Sequence, residues 1–92
     1  MENLTSPTNN IENTTKLIMD AFRHFKTQAD EVLTYADLIP YLEQHDEHNH
    51  FKDVQRETEY HLMKEAYATP DASGLRLTQV GFNALQENDT LT

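Results

Sequence analysis

Hydrophobic side chains in the first third of the chain recur at helical spacing and predict a first helix over about residues 14–27. Asn13 or Thr14 is the predicted N-cap, because both residue types accept hydrogen bonds from the free N–H groups at a helix start. One broad apolar face marks this segment as a core helix. The face consists of Leu17, Ile18, Ala21, Phe22 and Phe25.

A second helix is predicted after a short strand at residues 32–33. Thr34 stands in the N-cap position with an acidic residue three positions later, which is the spacing of a capping box. Leu33 and Leu38 have the spacing of a hydrophobic staple around that cap. Pro40 lies several positions inside the helix and predicts a kink or an early end, because it removes a backbone hydrogen bond. The apolar side consists of Leu38, Ile39 and Leu42.

Residues 44–50 contain no apolar side chain and predict an exposed loop before a third helix over about residues 52–66. The first half of this helix is mostly polar, and its second half carries five apolar residues that spread widely around the axis. The pattern therefore predicts a helix that is anchored at its C-terminal end and projects at its N-terminal end. The apolar residues are Tyr60, Leu62, Met63, Ala66 and Tyr67.

A hairpin and a last helix are predicted in the final third. Residues 67–69 and 75–77 flank a Pro-Asp-Ala-Ser-Gly turn, in which Gly74 is expected to take a positive φ. Thr78 is the predicted N-cap of the last helix, and Leu77 and Phe82 occupy the staple positions around it. Gly81 costs a helix about 1 kcal/mol relative to alanine. We therefore expect a close backbone approach at Gly81.

A chain of 92 residues has room for one core, which we predict at residues 11–87 between a disordered N-terminal tail at 1–10 and a C-terminal tail at 88–92. The absence of cysteine excludes disulfides, thiolate metal ligands and thiol nucleophiles. No apolar run approaches the ~20 residues of a membrane span, and the N-terminus lacks a signal-peptide pattern. The expectation is a cytoplasmic protein without membrane contact.

Charge changes the functional picture more than any other bulk property. Seven Lys and Arg residues against sixteen Asp and Glu residues give a net charge of −9. Proteins that bind nucleic acids draw much of their affinity from neutralising phosphates with basic side chains. The net charge therefore disfavours DNA or RNA as a partner, although a local basic patch can override it.

The predicted order of elements, together with the residues of the C-terminal half, resembles the winged helix-turn-helix superfamily. Residues 60–66 (YHLMKEA) and 74–85 (GLRLTQVGFNAL) are similar to a YHLxxLxEAG…LTxxGxxxL ending found in small bacterial and phage winged-helix proteins. The similarity covers about residues 50–87 well and residues 14–45 by pattern. It implies a mainly helical α+β fold with about four helices and a short β-hairpin wing.

The resemblance also implies a place for DNA, since the third helix of DNA-binding members enters the major groove and the wing touches phosphate. On that basis Lys52, Gln55, Arg56 and Glu59 would face bases, and Arg76 would lie by the wing. The sequence departs from this pattern, because acidic residues interrupt the candidate reading face and the wing tip carries Asp71 without a basic neighbour. The interrupting acidic residues are Asp53, Glu57 and Glu59.

Two groups of polar residues were weighed as metal or catalytic sites. His45, His48 and His50 lie beside Asp46 and Glu47 in the predicted loop, and imidazole with carboxylate suits zinc or nickel. A solvated loop is the favoured interpretation, because a loop does not fix the ligand geometry. Glu57, His61 and Glu65 repeat at i, i+4 on the third helix and could ligate a metal or poise a general base. The favoured interpretation is structural, with His61 at the edge of the core and the glutamates paired with Lys64 or with solvent.

No group of residues in the sequence forms a convincing catalytic site, so we expect a non-enzymatic protein without a cofactor. The serines are confined to a tail (Ser6) and a turn (Ser73), and no glycine-rich phosphate loop exists. The tyrosines admit two interpretations, a protein-contact surface or side chains that complete the edge of the core. They are Tyr35, Tyr41, Tyr60 and Tyr67.

Three functional hypotheses remain from the sequence. The first is a regulatory or interaction module that binds a protein partner or a second copy of itself, which the acidic charge favours. The second is a DNA-binding transcriptional regulator that uses the third helix, which follows from the fold alone. The third is a small acidic, phage-type inhibitor that covers the nucleic-acid-binding surface of another protein.

Overall fold

A computed structural model describes residues 7–46 and 49–91. In this part of the chain four α-helices and three short strands follow the predicted order of helix, strand, helix, helix, hairpin and helix. The predicted class, a mainly helical α+β fold with a small hairpin, is confirmed. The elements are α1 (Pro7–His24), β1 (Val32–Thr34), α2 (Tyr35–His45), α3 (Phe51–Lys64), β2 (Ala68–Pro70), β3 (Gly74–Leu77) and α4 (Gln79–Leu91).

The first helix begins earlier and ends earlier than predicted. It starts at Pro7, inside the segment predicted as a disordered tail, where proline suits the first helical position. The predicted cap at Asn13 or Thr14 is wrong, because both residues lie inside the helix. After His24 the chain turns through Lys26 at φ 57°, and the N–H of Thr27 donates to the Phe22 carbonyl at 2.9 Å. Phe25 therefore leaves the helix and is 39% exposed.

The second helix begins where the sequence indicated, but its cap is not the predicted one. Thr34 has N-cap backbone angles (φ −70°, ψ 153°), yet its hydroxyl makes no capping hydrogen bond. The N–H of Tyr35 instead donates to the carbonyl of Ser73 in the hairpin, at 2.8 Å. Leu33 and Leu38 are both buried in the core, in agreement with the predicted staple. Pro40 does not end the helix, which continues to His45.

The third helix is anchored along its whole length, which corrects the expectation of a projecting N-terminal end. Phe51 and Val54 are buried in its first half, as are Thr58 and Leu62 further along. Val54 departs from helical geometry (φ −127°, ψ 16°), and the hydroxyl of Thr58 donates to its carbonyl at 2.7 Å. The helix closes through Ala66 at φ 64°, a conformation usually taken by glycine.

The strands form one antiparallel sheet in the order β1-β3-β2, with β3 at the centre. Thr34 pairs with Gly74 across β1 and β3, and Ala68 pairs with Leu77 across β2 and β3. The predicted positive φ at Gly74 is wrong. A Cβ at this position would lie 2.7 Å from the Cα of Thr34 and still closer to the carbonyl oxygen of Leu33. Glycine is required here because β1 packs directly against it.

Thr78 and Gly81 join the sheet to α4 in the way that the sequence predicts. The hydroxyl oxygen of Thr78 accepts a hydrogen bond from the N–H of Gly81 at 2.9 Å, which confirms the predicted cap. The same hydroxyl reaches back to the carbonyls of Ala66 and Tyr67. A Cβ on Gly81 would lie 3.0 Å from the carbonyl carbon of Tyr67. The expected close approach at Gly81 is therefore confirmed.

The core lies between α1, α2, α3 and the sheet, and α1 packs chiefly on α3. The segment predicted as a C-terminal tail continues α4 as far as Leu91. None of the helices in the described ranges is long and apolar enough to cross a membrane. The buried cluster consists of Ile18, Ala21, Phe22, Leu33, Leu38, Leu42, Phe51, Leu62, Ala68, Leu75, Leu77 and Leu85.

Candidate functional site

The side of α3 that points away from the core carries most of the residues to which the sequence assigned a binding role. Because the buried side chains recur at positions 51, 54, 58 and 62, the opposite side faces solvent. We call this side the outer face of α3. It consists of Lys52, Asp53, Arg56, Glu57, Tyr60, Met63 and Lys64, all of them exposed.

At the N-terminal end of this face, polar groups of the chain bond to one another. Lys52 Nζ lies 3.6 Å from Glu43 Oε2 on α2. Gln55 and Glu59 are half-buried, and the Gln55 amide donates to the Glu59 carboxylate at 3.1 Å. The Tyr35 hydroxyl donates to the same carboxylate oxygen at 2.9 Å. Gln55 and Glu59, both predicted to face bases, are thus engaged within the protein.

The hydrogen bond between Tyr35 and Glu59 contributes to a raised pKa of the tyrosine. Burial raises the pKa of the Tyr35 phenol to about 12, and the hydrogen bond and negative charge of Glu59 add to that rise. The phenol therefore stays protonated and holds the carboxylate in place. This bond ties the start of α2 to the middle of α3.

Arg76, the predicted wing cation, is also engaged. Its guanidinium lies 2.8 Å from the Asp71 carboxylate at the hairpin turn and donates to the carbonyl of Asp30 at 2.9 Å. The pKa of Asp71 is lowered, first by the backbone N–H of Ala72 and then by the side chain of Arg76. The charge of Arg76 is thus balanced within the hairpin.

The structure brings together four of the five residues predicted to contact nucleic acid, Glu59 among them. Lys52, Gln55 and Arg56 line one shallow depression, and Arg76 is not part of its lining. Arg56 is exposed and forms no ion pair with the described residues. The depression is mixed in charge, because its remaining lining is aromatic and acidic. Those residues are Tyr35, Asp53, Glu57 and Glu59.

The C-terminal half of the outer face carries an apolar surface that sequence reasoning assigned to helix anchoring. Tyr60 is 59% exposed and Met63 is 43% exposed. Lys64 Nζ lies 5.9 Å from the centre of the Tyr60 ring. A helix rotates by 100° per residue, so Tyr60 lies on the side opposite to the buried Thr58 and Leu62. Helical periodicity was therefore the signal that could have predicted the exposure of Tyr60. A groove between α1 and α3 borders this surface, lined by Ile11, Glu12, Arg56, Glu57, Tyr60, His61 and Lys64.

The predicted histidine cluster is only partly described. His45 is exposed at the end of α2, with its ring centre 4.2 Å from that of Tyr41, and His50 occupies the N-cap position of α3. His48 lies outside the described residues. Between the two described histidines, Asp46 accepts a hydrogen bond from the N–H of Phe51 at 2.8 Å and so caps α3. Sequence reasoning missed this structural role of Asp46.

The second metal or catalytic candidate lies on the side of α3 next to α1. Glu57 and Glu65 are exposed and His61 is half-buried. Across residues 7–46 and 49–91 no group of three or more His, Cys, Asp or Glu residues could hold a metal ion. Ser73 is exposed in the hairpin, and Ser6 lies outside the described residues.

The chain was compared with protein-family models, with curated proteins and with solved structures. None of the three comparisons finds a match.

Proposed function

We propose that this protein is a non-enzymatic, cytoplasmic interaction module of the winged-helix type, which binds a protein rather than DNA through the outer face of α3. The succession of elements and the sheet order β1-β3-β2 support the winged-helix assignment. The exposed aromatic and methionine side chains on α3 support a protein partner, because Tyr, Met and Arg are enriched at protein interfaces.

One observation carries the choice between protein and DNA: two of the three candidate cations form ion pairs within the chain. Lys52 pairs with Glu43 and Arg76 pairs with Asp71, so only Arg56 of the predicted DNA-contacting cations forms no ion pair with the described residues. Binding to phosphate releases counterions only where a protein brings unbalanced positive charge. On the outer face Lys52 is paired, the exposed carboxylates of Asp53 and Glu57 offset the remaining cations, and the chain as a whole carries a net charge of −9, so the face brings little unbalanced positive charge.

The distribution of acidic side chains bears on the inhibitor hypothesis. A protein that covers a nucleic-acid-binding surface needs its carboxylates gathered in a continuous stripe. The exposed carboxylates of the described residues are instead spread over all four helices and the segment before β1, which gives this hypothesis less support. They are Glu12, Asp20, Asp30, Glu31, Asp37, Glu43, Asp53, Glu57, Glu65 and Glu87.

A titration of fluorescent duplex DNA by the full chain, at about 50 and 200 mM salt, tests the choice. We expect no binding at either salt concentration. The matched variants are Lys52→Ala with Arg56→Ala, which removes cations, and Asp53→Lys with Glu57→Lys, which adds them and shows that the assay detects a basic α3. DNA binding by the natural chain that weakens with salt and disappears in the first variant would contradict the proposal.

A further inference from the structure

Along the C-terminal half of the outer face of α3, the order of charged and apolar side chains is complementary to the same order read in the opposite direction. Two exposed apolar side chains, Tyr60 and Met63, lie along its middle. Two exposed side chains of opposite charge, Glu57 and Lys64, flank them along the same side of the helix. Acidic, aromatic, apolar and basic groups therefore follow one another from the N-terminal to the C-terminal end of this strip.

The flanking charges have no partner of opposite charge in the part of the chain that the structure describes, and Lys64 lies near the Tyr60 ring. Neither Glu57 nor Lys64 forms an ion pair with the described residues. This contrasts with Arg23, Lys52 and Arg76, each of which has a carboxylate partner within the chain. The apolar side chains of the strip are likewise uncovered, and Phe25 and Val80 are the other exposed large apolar residues in the part of the chain that the structure describes.

We propose that the protein forms a two-fold symmetric dimer in which α3 packs antiparallel against α3 of a second copy. A two-fold axis near His61 places Tyr60 against Met63 of the second copy and Glu57 against Lys64 of the second copy. Symmetry repeats both contacts, so two apolar and two ionic pairs form. A parallel arrangement would instead place Glu57 against Glu57 and Lys64 against Lys64. This inference rests on the proposed protein-binding function and names the partner as a second copy of the chain.

The contact between the two helices is short, which indicates a weak dimer. With the axis near position 61, the two copies of α3 overlap over residues 57–64, which corresponds to about 12 Å of helix at 1.5 Å per residue. A contact between two helices of this length lies at the lower end of specific interface sizes. We therefore expect a micromolar dissociation constant and a monomer–dimer equilibrium that depends on protein concentration.

Analytical ultracentrifugation of the full chain over a concentration series provides the test, with the charge swaps Glu57→Lys and Lys64→Glu. Each swap alone replaces two attractive pairs by two repulsive ones and is expected to weaken dimerisation at least about tenfold. The double variant E57K/K64E restores opposite charges across the axis and is expected to restore the dimer. A mixture of the two single variants is expected to form heterodimers, because all of its cross-pairs are then of opposite charge.

Lys26→Glu and Glu87→Lys make the same charge changes at exposed positions away from α3, and we expect neither to alter the equilibrium. Circular dichroism of every variant checks that the fold is retained. A natural chain that remains monomeric at about 1 mM overturns the proposal. So does a dimer that is insensitive to the single swaps, or one that the double variant fails to restore.

The two proposals fail in different ways. DNA affinity in the titration removes the protein-binding function, whatever the oligomeric state. A monomeric chain without DNA affinity removes only the dimer and leaves a different protein as the partner of α3.

Discussion

Two regions of the molecule differ in how closely they are packed. One is the joint that connects the sheet to α4, and the other is the outer face of α3. The joint comprises Gly74, Thr78 and Gly81, where segments of backbone approach so closely that there is no room for a methyl group at either glycine. On the outer face of α3 the side chains point into solvent. Lys52 pairs with Glu43 of α2, and beside the face Glu59 accepts a hydrogen bond from Tyr35. The first region therefore determines the architecture, and the second is free to determine the partner.

This contrast has an energetic consequence. At the joint, a substitution must displace backbone, which costs several interactions at once. On the outer face, a substitution removes one exposed side chain or one hydrogen bond, which costs little stability. Changes at the joint should therefore alter folding, and changes on the outer face should alter binding while the protein stays folded.

The largest effect is expected from Gly74→Ala. The new Cβ would press on the backbone of Leu33 and Thr34, so β1 must separate from β3, at a cost of about 3 kcal/mol or more in the free energy of unfolding. Urea unfolding followed by circular dichroism measures it. Ser73→Ala, one residue earlier and exposed, is the control and should change the free energy by less than about 0.5 kcal/mol. Equal stability of the two variants would show that β1 is not packed on Gly74.

A smaller loss is expected from Thr78→Ala. The hydroxyl caps α4 through the N–H of Gly81 and also reaches the carbonyl of Tyr67, so its removal should cost about 1–2 kcal/mol. Thr78→Ser keeps the hydroxyl and should retain most of the stability. If the serine variant loses as much as the alanine variant, the methyl group and not the cap holds the joint together.

The smallest effect at neutral pH is expected from Tyr35→Phe, which leaves Glu59 with the Gln55 amide as its remaining partner and should cost about 1 kcal/mol or less. Its pH dependence is more informative. Since the pKa of Tyr35 is raised from 10.0 to about 12, folding favours the protonated phenol. The stability from this group is fully present below pH 10 and is lost as the pH rises from 10 towards 12.

Unfolding curves between pH 9 and 12 measure that loss, and we expect the Tyr35→Phe variant to show a shallower decline than the natural chain. Some decline should remain, because burial also raises the pKa of Tyr41. Tyr60→Phe, at an exposed tyrosine on the outer face, is the control at neutral pH. An unchanged alkaline decline in the Tyr35 variant would show that the phenol does not bond to Glu59 in solution.

Much of the fold could be predicted from the sequence because its signals are local. Helical spacing located the apolar face of α1 and the buried Leu38 and Leu42 of α2, and the turn residues between positions 70 and 74 located the hairpin. The cap at Thr78 and the close approach at Gly81 also follow from residues that are near one another in sequence. Such signals depend on backbone conformation and periodicity, which neighbouring residues specify.

The errors and omissions arose where a residue interacts with a distant segment. Gly74 was assigned a turn conformation, but its role depends on β1, which is 40 positions away in the register Thr34↔Gly74. Thr34 was assigned a side-chain cap, whereas the following N–H is satisfied by the hairpin carbonyl of Ser73. Asp46 was placed in a possible metal cluster and instead caps α3 through the N–H of Phe51.

The properties of the candidate site also fall into two groups, those that the sequence specifies locally and those that depend on contacts between distant segments. The sequence by itself determined the net charge of −9, the absence of thiol chemistry and the positions of the basic residues that could contact a partner. Only the tertiary structure decided that Lys52 and Arg76 are paired and that the first half of α3 is buried through Phe51 and Val54. The physical reason is that ion pairing and burial depend on which elements pack side by side, and the packing of α2 and α1 against α3 is a property of the whole chain.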